Sequence, residues 1–128
     1  MAVTKERNSM GFEKLSLQAI DADIAAYLPK WQPEEQDKVD LLLTLSIAFS
    51  EPNQGINYFY VRVATPKVLL EKPAFLLTSR ATLLIGYYDY KQLENEIKDI
   101  IARCDKGHYQ HSCDALSQYF DWEYSNYA

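Results

Sequence analysis

Val39-Asp40-Leu41-Leu42-Leu43-Thr44-Leu45-Ser46-Ile47-Ala48-Phe49 decides how this chain folds. Successive side chains of a strand point to opposite faces, so Val39, Leu41, Leu43, Leu45, Ile47 and Phe49 line one unbroken apolar face. Glu51-Pro52-Asn53-Gln54-Gly55 follows, and its Pro, Asn and Gly are each suited to a turn angle. Ile56 to Ala64 is then rich in β-formers, with Phe59, Val61 and Val63 on one side. The two segments predict a hairpin with one face to bury.

Upstream, Glu13 to Ile20 alternates with Leu15, Leu17 and Ala19 on one side and reads as a first strand. Residues 1–11 read as a polar flexible leader. Ala22 to Lys30 is a short element ending at Pro29, and Trp31 to Glu35 a loop in which Pro33 cannot donate to a ladder. Downstream, Thr65-Pro66 marks a helix start, because Thr suits the N-cap and Pro the first helical position. That helix, Lys67 to Leu70, stops at Pro73. Ala81 to Tyr88 is predicted as a fourth strand. Asp89 caps the next helix, with Gln92 as its expected capping-box partner. Leu93, Ile97, Ile100, Ile101 and Cys104 recur there at helical spacing, and Gly107 ends it. Ser112 to Phe120 is a last helix with Leu116, Tyr119 and Phe120 inward, leading to the tail Phe120-Asp121-Trp122-Glu123-Tyr124-Ser125-Asn126-Tyr127. There rings and acids alternate; large rings on such a segment imply that it is docked or recognises something.

The order strand, strand, strand, helix, strand, helix, helix predicts an α+β fold: an antiparallel sheet of about four strands with helices packed on one face. Residues 12–128 read as a single domain, long enough at 128 residues in all to bury a core.

Composition narrows the function. Net charge is −5, so nucleic acid is not an expected direct ligand. No apolar run follows the charges of Met1 to Arg7, so no signal peptide is expected, and Leu41 to Phe49 is too short to span a membrane. The chain is expected to be cytoplasmic. Residues 21–51 hold seven carboxylates against Lys30 and Lys38, and Asp114, Asp121 and Glu123 follow near the end. Residues 62–80 hold Arg62, Lys67, Lys72 and Arg80 against Glu71. If the acidic blocks meet in space, they make a negative face that steers a basic partner. Ten tyrosines are many for this length, and Tyr favours interfaces, where one end is apolar and the other wet.

No arrangement for catalysis is evident. The glycines at 11, 55, 86 and 107 form no phosphate loop, and no serine sits in a nucleophile elbow. Cys104, His108, His111 and Cys113 are zinc-type ligands, but their mixed order and loose outer spacing fit structural zinc poorly, and Cys104 belongs to the buried helical stripe. The expectation is no catalytic residue, no cofactor and no metal.

Three stretches together resemble the immunity protein 8 family: Phe59-Tyr60-Val61-Arg62-Val63-Ala64-Thr65-Pro66-Lys67-Val68-Leu69-Leu70-Glu71, then Leu84-Ile85-Gly86-Tyr87-Tyr88-Asp89-Tyr90 with its long helix, then Phe120-Asp121-Trp122-Glu123-Tyr124. Val68 stands where the pattern leads one to expect an aromatic. The resemblance covers about residues 12–127 and implies a non-enzymatic protein that neutralises a cognate secreted toxin domain, in contact-dependent growth inhibition or a related polymorphic toxin system. A nuclease is the toxin class that an acidic, tyrosine-rich inhibitor complements, and the protein is expected to be monomeric before binding. The alternative is a small ligand-binding or adaptor/chaperone module for a secreted effector. Charge sign, aromatic character and expected exposure nominate Asp21, Asp23, Glu34, Glu35, Asp37, Tyr87, Asp121, Glu123, Tyr124 and Tyr127 for partner contact.

Overall fold

A computed structural model describes residues 15–50, 54–71 and 81–124. The leader, Tyr127 and most of the expected hairpin turn lie outside them. Strands β1 (Leu15–Ala22), β2 (Asp40–Phe49), β3 (Ile56–Ala64), β4 (Thr82–Leu84) and β5 (Asp121–Trp122) and helices α1 (Pro66–Leu70), α2 (Tyr90–Cys104) and α3 (Tyr109–Leu116) follow in the order β1-β2-β3-α1-β4-α2-α3-β5. A 3-10 turn at Leu28–Lys30 follows β1. The sheet runs β1-β2-β3-β4, with β5 also on β3. The fold is α+β, as the pattern predicts.

The hairpin forms as read. β2 and β3 pair antiparallel from Asp40↔Ala64 to Ala48↔Ile56. Leu43, Leu45, Ile47, Phe59, Val61 and Val63 are fully buried. The α2 stripe covers them: Leu93, Ile97, Ile100, Ile101 and Cys104 are all buried and belong to the same core as Cys113, Leu116 and Phe120. Each apolar face thus removes the other from water, at about 1.5–3 kcal/mol per large side chain.

Several boundaries differ from the sequence reading. β1 carries a bulge between Leu17 and Ala19. The extra residue shifts the alternation, so Ala19 is exposed while Leu17, Ile20 and Ala22 pack against the core. The fourth strand is three residues instead of eight, because Gly86 and Tyr87 bend the chain towards the α2 cap and the Tyr88 N–H goes to the Gln36 carbonyl at 2.7 Å. β4 runs parallel to β3, as a strand returning after a crossover through α1 can.

Thr65 occupies the α1 N-cap without capping; its hydroxyl instead accepts the Val39 N–H at 3.1 Å. Asp89 does cap α2, accepting the Gln92 N–H at 3.1 Å. The Gln92 side chain donates to the Asp89 carboxylate and the Tyr87 hydroxyl, so the expected reciprocal bond to the Asp89 backbone is replaced. α3 begins three residues early, after Gly107 in the left-handed region, and ends at Leu116. Tyr119 therefore lies in the turn that follows and is exposed, with Arg103 above its ring.

Candidate functional site

Among the described residues α2 and α3 cover one face of the sheet, and the alternation that fills the core leaves the other face to Asp21 on β1, Leu42, Thr44 and Ser46 on β2, and Ile56, Tyr58, Tyr60 and Arg62 on β3. Ile56, Tyr58 and Leu84 are exposed by 51%, 42% and 62%. Large apolar groups in that number on one open face are the kind of surface a partner covers.

Register joins four strands in a single row. Asp21 pairs with Thr44, Thr44 with Tyr60, and Tyr60 with Asp121. At a strand spacing of about 4.8 Å the backbones of Asp21 and Asp121 stand about 14 Å apart with Thr44 and Tyr60 between them. The acidic blocks at 21–51 and 114–123, far apart in the chain, thus meet in one row, Asp21 from the first and Asp121 from the second. Arg62 on this face is held by Asp40 in a two-pronged pair at 2.9 and 2.8 Å. That bond raises the guanidinium above its ordinary pKa against a smaller opposing effect of burial.

The tail carboxylates also have structural work. Asp121 accepts the Ala81 N–H at 3.0 Å, bridging the ends of β4 and β5 where they meet along β3. Glu123 accepts the Tyr58 N–H at 2.7 Å, closing the β3 edge beyond β5. The rings between them dock inward. Phe120 is fully buried and Trp122 stacks on Phe59 at 6.3 Å. Trp122 and Tyr109 both donate to the buried Asn57 oxygen, at 3.0 and 2.9 Å. Tyr124 is exposed and meets Trp122 edge-on.

The other nominated residues fall elsewhere. Asp23 accepts the Leu42 N–H at 3.0 Å. Glu35 and Asp37 flank Lys67 at 3.7 and 3.3 Å, and Lys38 bonds Glu71 at 3.0 Å, which ties the loop before β2 to α1. Glu71, then Glu35, raise the pKa of Lys38. Glu34 is exposed beside this cluster in sequence. Tyr87 is exposed at a recess of about 320 Å³ between β4 and α2, with Asp89 and Glu96 at its rim. The structure thus brings Asp21, Asp121 and Glu123 to one face, Glu35 and Asp37 to one end of the sheet, and Tyr87 to the opposite flank. Tyr58 and Tyr60 escaped the sequence reading, although the period of β3 that turns Phe59 inward also turns them outward.

The two thiols lie in the core, while His108 and His111 are exposed with their rings 4.5 Å apart. No three metal-type side chains converge among the described residues.

A family model described as immunity protein 8 matches residues 15–127. No curated protein and no solved structure matches.

Proposed function

The chain belongs to the immunity protein 8 family, and from that premise we propose that it neutralises a basic toxin domain by covering it with the face of the sheet opposite α2 and α3. The Asp21–Thr44–Tyr60–Asp121 row carries this reading: a tyrosine set between carboxylates, with Tyr58 and Ile56 exposed beside it. Aromatic anchors supply binding energy when desolvated, and carboxylates around them accelerate encounter with a positive surface. A nuclease domain is positive where it grips phosphates, so a nuclease of a contact-dependent growth inhibition or related polymorphic toxin system is the partner we infer. The protein acts by binding alone, as one unit over residues 12–128, in the cytoplasm of the cell it protects. No helix among the described residues is long and apolar enough to cross a membrane.

The test is binding between the purified protein and the toxin domain encoded by the adjoining reading frame. Replacing Tyr58 and Tyr60 together by alanine is expected to weaken the complex by about 30-fold or more, the size of a ~2 kcal/mol anchor. Unchanged affinity would remove this face from the interface. Failure of the unaltered protein to bind would remove that toxin as its partner.

A further inference from the structure

β1 is the end strand of the sheet, and two recesses lie along it against α2. At one end is a recess of about 420 Å³ whose lining includes Asp21, Ala22, Tyr27, Tyr90 and Glu94. At the other is a recess of about 200 Å³ bordered by Leu17, Lys98 and Asp105. The bond from the Asp23 N–H to the Leu42 carbonyl, at 3.1 Å, sets the phase of the ladder. Ala19 and Asp21 share the parity of Asp23 and face β2, so Ile20 and Ala22 turn their N–H and C=O groups away from the sheet. No described residue bonds to these outward groups. The bulge at Gln18 twists the strand before them, so the usable edge is the short run from Ala19 to Ala22.

We propose that this edge receives an extended, basic segment of the toxin domain as an added strand, with a lysine or arginine side chain entering between Asp21 and Glu94. Free backbone donors and acceptors in strand geometry call for an extended chain, since only backbone can satisfy them in sequence. The larger recess has two carboxylates and no cation in its lining, and the faces of Tyr27 and Tyr90 suit a cation as well. Tyr27 is 70% exposed and therefore within reach. Lys91 and Lys98 pair with Glu94 from the α2 side at 3.5 and 3.7 Å; both are solvated, and pairs of that kind exchange readily for a better partner. Burial, then Glu94, Tyr27 and Asp21, push the Tyr90 phenol above its ordinary pKa, in keeping with a negative recess. The proposal rests on the toxin-binding reading and deepens it, for Asp21 belongs both to this recess and to the row on the open face.

Amide exchange separates this mode from every other. In the free protein Ile20 and Ala22 are expected to exchange fast although they lie within a strand. In the complex with the adjoining gene's toxin domain they are expected to slow by about 100-fold or more. Ala22→Pro removes one outward N–H at a position an edge strand tolerates, and is expected to raise Kd by about tenfold with little change in melting temperature. Should that variant not fold, the exchange measurement decides alone. A tight complex in which both amides stay fast overturns the added strand and leaves the toxin-binding reading intact. Slow amides in dilute free protein would mean that the chain's own residues occupy the edge, and protection that grows with concentration would mean a second copy; either overturns it. No complex at all overturns both readings together.

Discussion

Asn57 lies in the core at 3% exposure, where its side-chain oxygen accepts from Tyr109 and Trp122 and its amide donates to the Gln54 carbonyl. Asn57→Ala removes the acceptor that two part-buried donors share, at about 1 kcal/mol for each bond lost, and urea titration should show a loss of about 2 kcal/mol. Tyr88 presents the opposite case. It is 1% exposed, packs edge-on against Trp31, and its hydroxyl has no hydrogen-bond partner among the described residues. Tyr88→Phe deletes a desolvated group while keeping the ring, so stability should rise by about 1 kcal/mol in the same assay. Alkaline pH tests the neighbourhood of Asn57. Burial pushes the Tyr109 phenol up to about 12 and the Cys113 thiol up to about 11. Both groups lose protons more easily when unfolded, so the stability they hold is complete below pH 9 and falls as pH rises through 11 and 12. Melting temperature should decline across that window, and Cys113→Ala should flatten its lower half.

Among the elements, β2, β3 and α2 were legible because their apolar periods of 2 and 3.6 run long enough to admit one face each. Leu43→Ala and Ile97→Ala, at opposite sides of the layer, should each cost about 2–5 kcal/mol by thermal or denaturant unfolding. β1 was legible only to its bulge, which no property of Leu17, Gln18 or Ala19 announces; the extra residue is accommodated because Ile20 and Ala22 regain the core. β4 was misjudged in length because apolar residues from Ile85 to Tyr88 serve a turn and the core beyond the ladder. The tail shows another limit. Alternation placed Trp122 and Asp121 on opposite faces, but nothing local reveals that Asp121 and Glu123 accept N–H groups from Ala81 and Tyr58. Glu123→Lys therefore removes an edge acceptor as well as a charge, and should destabilise by about 1–2 kcal/mol, whereas Glu34→Lys in its exposed loop should change stability by less than about 0.5 kcal/mol.

At the scale of the molecule the interaction face was half legible. Charge counting found the two acidic blocks, but only the register shows that Asp21 and Asp121 share a row. It also shows that Glu35 and Asp37 surround Lys67 at the sheet's end instead. Association with the toxin should therefore slow as salt rises, by a factor that Asp21→Asn reduces more than Glu34→Gln does; stopped-flow rates between about 50 and 300 mM salt cover the range over which screening acts. The closing of β3 by β5 also sets an order in time. β2 and β3 are adjacent in the chain and can pair early, whereas the bond from Trp122 to Asn57 joins groups 65 residues apart and must wait for loop closure. The docking of Trp122 is thus expected among the last events of folding and the first of unfolding. In a Trp31→Phe background its fluorescence should lag the far-ultraviolet signal on refolding, and Trp122→Phe should speed unfolding while leaving the folding rate nearly unchanged. A molecule caught before that step would have its hairpin formed while the far edge of β3 still lay open to other chains.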